Sequence, residues 1–207
     1  MFKHFSILLA IASVIASSLN HALAAPVEEL KARQPCADVM VFYARGTTEP
    51  APIGSSTSVG ADLQSNLMAV LGSRSLSFQG VDYPADIPGF LEGGDPQGSR
   101  NMANDLTNAA NACPNAKLVS SGYSQGGQLV HNSAAMLSSA VLNRINAVVI
   151  FGDPDRDRPI AGIPSNRIDI ICHVGDNICD GGDLILPPHL DYQLNVPAAA
   201  QFIASLV

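Results

Sequence analysis

Ser124 stands between two glycines in Gly122-Tyr123-Ser124-Gln125-Gly126, a G-x-S-x-G pentapeptide. The pattern alone is common, but its setting is not. An apolar, strand-like run, Ala116–Gly122, precedes it, and a helix-like pattern begins at Gln125. That is the context of a nucleophile elbow, a sharp strand-to-helix turn that projects one side chain. A side chain at 122 or 126 would collide across such a turn, which gives both glycines a reason to be there. The turn also aims the Gln125 backbone N–H and a helix N-terminus at the reacting centre. A serine hydroxyl is a poor nucleophile near neutral pH. It needs a base, and the base needs an orienting acid.

Three histidines follow residue 33. His131 lies two turns into the helix after Ser124 and would point away from the elbow. His173 sits in a strand beside Cys172. His189 lies in the loop "LPPHLDY" before the final helix, and the order Ser, acid, His found on parallel-sheet hydrolases selects it. Asp176 in "CHVGDNIC" follows the strand Arg167–Val174 by two residues. A Cys172–Cys179 bridge would enclose that carboxylate and fix its position, which catalysis needs. Asp180 and Asp183 fit less well, because they lie outside such a loop. Asp153, Asp155 and Asp157 alternate with Arg156 and Arg158 in "GDPDRDRP" and read as a solvated, salt-bridged loop. The stretch "DNICDGGD" has Ile178 at the third position of a would-be calcium loop and no acid at the twelfth.

These residues need elements to hold them. Five short apolar runs read as strands: Ala37–Ala44, Leu76–Tyr83, Ala116–Gly122, Ile145–Gly152 and Arg167–Val174. Helical spacing recurs over Ser56–Leu71, from the Asp95 cap to about Ala112, from Gln125 to about Leu142, and from Pro197 to the end. Alternating strands and helices imply βαβ units. The expected fold class is therefore α/β: three layers, with a central, mostly parallel five-stranded sheet and helices on both faces.

The chain has 207 residues, enough for one domain with a real core. Lys3, the apolar run Phe5–Ile15 and Ala22-Leu23-Ala24 read as a secretory signal peptide over residues 1–24. Residues 25–33 read as a short pro-segment, leaving 34–207 as a single catalytic domain. From Gln34 onward, sixteen Asp and Glu face eight Lys and Arg. That balance argues against nucleic acid or an anionic membrane as partner. Later stretches are too polar for a spanning helix, so no integral membrane association is expected. The four cysteines, Cys36, Cys113, Cys172 and Cys179, all follow the leader. An even count in an exported chain points to two disulfides, for which three pairings exist. Zinc is the competing use, but the set lacks a C-x-x-C pair.

The sequence resembles the cutinase family of serine esterases, which share their fold with fungal acetylxylan esterases. The resemblance covers nearly everything after Cys36. It rests on "VFYARGTTE", "GYSQGG", "CHVGDNIC" with its spacing to "PPHLDY", and the four cysteines. It implies Ser124 as nucleophile, Asp176 as acid and His189 as base. It implies a second oxyanion-hole group near "ARGTTE", where Thr47 stands in place of the family's serine and would assist Gln125. It also implies the pairings Cys36–Cys113 and Cys172–Cys179. One departure concerns "GVDYPADIPGF", which is nearer to cutinase-like and acetylxylan esterase sequences than to those of plant-pathogen cutinases.

The expected activity is a secreted, extracellular carboxylic-ester hydrolase acting on cutin or similar aliphatic polyesters. A deacetylase of plant polysaccharide is the alternative. No metal or cofactor is expected, and the protein is expected to be a monomer. Leu184, Ile185 and Leu186 precede two prolines and His189, and with Phe90 and Leu190 they form an expected apolar rim for an ester polymer or lipid-like ester. The absence of tryptophan argues against a sugar-stacking surface.

Overall fold

Val39 to Ala44 is buried at every position, the mark of a central strand covered on both sides. It is β1 of a five-stranded parallel sheet with β2 (Leu76–Gly80), β3 (Lys117–Tyr123), β4 (Ile145–Phe151) and β5 (Ile168–Ile171). The spatial order is β2-β1-β3-β4-β5. The computed structural model describes residues 35–207. The signal peptide and pro-segment expected over 1–24 and 25–33 lie outside the described residues.

Side chains alternate across the sheet. Val39, Val41 and Tyr43 face one core with α1 (Val59–Val70) and α6 (Val196–Leu206). Met40, Phe42 and Ala44 face the other, with α3 (Pro96–Ala112) and α4 (Gln125–Met136). The three layers are those the sequence predicts. Between β1 and β3 the connections diverge: β1 leads outward through α1 to β2, and β3 leads the other way through α4 to β4. A crevice at the carboxyl ends of two such strands is where open α/β sheets place their ligands.

Four departures from expectation have a local reason. Ile87–Leu91, outside every expected strand and helix, is a short helix, α2, which the Asp86 carboxylate caps by accepting from Gly89 N–H at 2.9 Å. The helix expected from Gln125 to Leu142 breaks after Met136. Leu137 is extended there, and the Ser138 hydroxyl caps a new turn, α5 (Ser139–Leu142). β2 ends at Gly80: Val81 N–H makes a last bond to the Tyr43 carbonyl at 2.9 Å, and beyond it Arg45 takes the Tyr83 carbonyl at 2.6 Å. β5 ends at Ile171 because Cys172 turns into a disulfide.

Both disulfides are present, Cys36–Cys113 and Cys172–Cys179. With every described cysteine bridged, none is left for zinc. Among the described residues no helix is long and apolar enough to cross a membrane.

Candidate active site

Ser124 has φ of +56° and ψ of −121°, a conformation that L-residues rarely adopt. Its neighbours show what imposes it. A Cβ on Gly122 would lie 2.4 Å from the Gly126 carbonyl carbon, and one on Gly126 would lie 1.9 Å from the Ala44 carbonyl oxygen. The chain can make this turn only with both positions bare. The Ser124 N–H donates to the Phe151 carbonyl at 2.9 Å, tying the turn to β4.

His189 closes a 3-10 turn, Pro187–His189, and is buried. Its Nε2 lies 2.9 Å from Ser124 Oγ and its Nδ1 lies 2.8 Å from Asp176 Oδ2. A carboxylate only accepts, so Nδ1 carries the proton, and Nε2 is left to accept from the serine hydroxyl. The ring stacks on Tyr123, and the Tyr123 hydroxyl donates to the His189 carbonyl at 2.7 Å. Gly152, with φ of +60°, follows β4 directly, and a Cβ there would meet His189 Cε1 at 2.8 Å.

Asp176 sits inside the Cys172–Cys179 loop and is fully buried. Its Oδ1 accepts from Ile178 N–H at 3.0 Å. Its Oδ2 accepts from both His189 and the Tyr192 hydroxyl, the latter at 2.6 Å. Burial pushes the carboxyl up, but the bonds from Tyr192, His189 and Ile178 outweigh it and hold Asp176 below its ordinary range.

Gln125 is the first residue of α4, so its N–H has no acceptor inside the helix. The side-chain amide donates to the Asp86 carbonyl at 2.6 Å, linking the elbow to α2. Thr47 lies in the loop after β1. Arg45 holds that loop, donating to the Glu49 carbonyl at 2.7 Å and the Tyr83 carbonyl at 2.6 Å, with its guanidinium over the Tyr83 ring.

A crevice of about 600 Å³ opens over Ser124 and His189. Its lining is polar at Thr47, Thr57 and Ser58 and apolar at Ile87, Phe90 and Leu91 of α2 and at Ile185 and Leu190. Leu184 and Leu186 do not line it: they are 60% and 39% exposed on the surface beside it. The apolar rim thus divides into a lining part and an outer part.

One expectation changes, and one residue had drawn none. Asp153 is no solvated loop residue. It is fully buried, and its Oδ2 lies 2.9 Å from Nε2 of the equally buried His131, while Asp155 pairs with Arg158 as expected. Tyr192 was not singled out in the sequence, although it stands three residues after His189; its partner Asp176 is sixteen residues away, so no local pattern marks it.

Residues 35–207 match the family model described as Cutinase. A cutinase of Botryotinia fuckeliana is 54% identical over 181 residues, covering 87% of this chain and 88% of the relative. One of Monilinia fructicola is 52% identical over 182 residues, covering 88% and 89%. Trichoderma reesei cutinase, solved in complex with a C11Y4 phosphonate inhibitor, superposes with a TM-score of 0.79 at 45% identity, over 84% of this chain and 78% of that one. An acetyl xylan esterase at 23% identity shares the fold, with a TM-score of 0.68 over 83% of this chain and 99% of that one. Likeness of this extent, running through every element that carries the crevice, makes the chain a member of the cutinase family, and hence a carboxylic-ester hydrolase.

Proposed function

We propose that the protein is a secreted serine esterase that hydrolyses cutin or similar aliphatic polyesters through an acyl-enzyme. The observation that carries this reading is the unbroken hydrogen-bonded line from Ser124 Oγ through His189 to Asp176 at the foot of a half-apolar crevice. Ser124 Oγ attacks the ester carbonyl carbon while His189 Nε2 takes its proton, and Asp176 holds the imidazolium that forms. The Gln125 N–H and Thr47 face the oxygen that becomes negative. The tetrahedral adduct collapses, His189 protonates the leaving alcohol, and the acyl group stays on Ser124. Water, deprotonated by His189, then releases the acid by the same steps in reverse.

The wall of Ile87, Phe90, Leu91, Ile185 and Leu190 favours an aliphatic chain over an acetylated sugar, so polysaccharide deacetylation is the weaker alternative. The exposed Leu184 and Leu186 extend that wall outward and suit an insoluble surface.

A rate profile across acyl lengths, with an insoluble polyester included, tests the substrate; Ser124→Ala tests the mechanism. Turnover should favour aliphatic acyl esters over acetyl-xylan and extend to the polymer. Ser124→Ala should lose about 10⁴-fold or more in kcat without losing stability. Preference for acetyl-xylan, or turnover by a folded Ser124→Ala variant, would refute the corresponding half of the reading.

A further inference from the structure

A further side chain converges on the Asp176 carboxylate. Tyr192 is fully buried, and its hydroxyl donates to Oδ2 at 2.6 Å, the oxygen that also takes the His189 Nδ1 proton. The same hydroxyl accepts from His173 N–H at 2.9 Å. A directed chain results: His173 N–H to Tyr192 O–H to Asp176, which His189 meets from the other side. The Tyr192 ring is wedged edge-on to His189, at 6.0 Å and 86°, and face-on to the His173 ring, at 4.1 Å and 16°. It has no freedom toward β4, because a Cβ on Gly152 would already lie 2.8 Å from its Cε2. Burial, then the bond to Asp176, push the phenol well above its ordinary range, so it stays a donor at any working pH.

We infer that Tyr192 is a positioning residue that sets how readily His189 takes up a proton, acting through Asp176; the inference rests on the roles given above to Ser124, His189 and Asp176. A carboxylate oxygen that already accepts an O–H bond presents less negative charge to the imidazole beside it. A carboxylate with one donor fewer would hold an imidazolium more tightly, so loss of the hydroxyl should show in the acid limb of the pH profile. The same bond stops Asp176 from rotating and keeps Nε2 aimed at Ser124. The other groups facing this pair are Ile178 N–H on Oδ1, the disulfide sulfur of Cys179 at 3.5 Å from Oδ2, the Tyr123 ring on His189, the Ser124 hydroxyl, Glu49 and Asp183 in the crevice lining, and, behind Tyr192, the His173 ring with Asp191.

The test is the pH profile of kcat/KM on a soluble short-chain ester, with the whole protein. Tyr192→Phe should move the acid limb up by about half a unit to one unit. It should also lower kcat by about tenfold. A purely structural tyrosine would lower melting temperature, or rate at all pH values, and leave the limb in place. Site-specific 3-fluorotyrosine at 192 keeps the ring and hydroxyl but donates more strongly, so the limb should move down. An unmoved limb in a folded Tyr192→Phe variant would overturn the inference. So would an unmoved or raised limb with fluorotyrosine, which decides the matter even if the phenylalanine variant does not fold. Phosphonate labelling of Ser124 separates this from the parent reading. Label on Ser124 with no shift overturns the role of Tyr192 alone, whereas no label on the wild-type enzyme overturns both.

Discussion

Ser124 and His189 meet at 2.9 Å, yet they are held there by different means. The elbow is fixed by backbone. It joins a central strand to a long helix, and the atoms that confine it are the carbonyl groups of Ala44 and Gly126. The segment from Cys172 to Asn195 contains no strand and only short 3-10 turns. It is fixed by side chains: one disulfide, the Tyr123 and Tyr192 hydroxyls, and the His173 ring, which bonds to Pro188, Asp191 and Asn195. Backbone confinement is all-or-none, so crowding the elbow costs the fold. A side-chain net loosens strand by strand, so activity there can be lost while the fold survives.

The sharpest break is Gly126→Ala. Its new methyl would meet the Ala44 carbonyl at the end of β1, where backbone faces backbone and neither partner can move. A loss of about 3 kcal/mol or more in denaturant unfolding is expected. Near-wild-type stability would mean that the elbow is not confined as described.

The two disulfides sharpen the comparison from the other side. Cys36–Cys113 spans 77 residues and Cys172–Cys179 only 7. In the chain-entropy model these contribute roughly 4–5 and 2–2.5 kcal/mol. Replacing the first pair with serine should mainly lower melting temperature. Replacing the second should lower kcat more than its small loop suggests, because it carries Asp176. Equal activity losses in the two double variants would remove the distinction.

The smallest effect is on His173. Burial lowers its proton affinity, but the bonds to Asn195 and the Pro188 carbonyl and the Asp191 charge outweigh it and raise the pKa above 6.5. A raised folded pKa contributes stability that is complete below the unfolded value and fades as pH rises through the folded one. The stability advantage of the wild type over His173→Gln should therefore shrink as pH rises above about 6.5. Parallel stability curves would show that charge on His173 does not help hold the loop.

How much of this was legible in the sequence follows the same division. Strand and helix cores were readable because buried apolar runs such as Val39–Ala44 and Ile145–Phe151 repeat with turn signals between them. Ser124 was readable because a strained turn leaves glycines behind. Asp176 and His189 were marked by cysteines and prolines in their own segments. Tyr192 was not, since its work is done with Asp176 and the His173 backbone, which only the folded chain brings near. Buried Asp153 was hidden for a like reason: its partner His131 lies on α4, and its own neighbours Asp155, Arg156 and Asp157 look solvated. The break at Leu137 was masked because apolar spacing continues through Val141 and Leu142.

The sheet's margins have a consequence for the protein at high local concentration. Where protein molecules crowd together, exposed strand edges are templates for non-native pairing between them. Here the two marginal strands are the shortest in the sheet, β2 with five residues and β5 with four. β5 runs at one end out of a 3-10 turn that begins after Pro164 and at the other into the Cys172–Cys179 bridge, so neither end can lengthen. β2 begins beside Ser75, which is held by the Asp38 carboxylate, and ends at Gly80, over which the Pro52 carbonyl lies so close that a Cβ would meet it at 2.1 Å. Such short, pinned edges offer few free backbone groups to seed a ladder between molecules, whatever brings the molecules together.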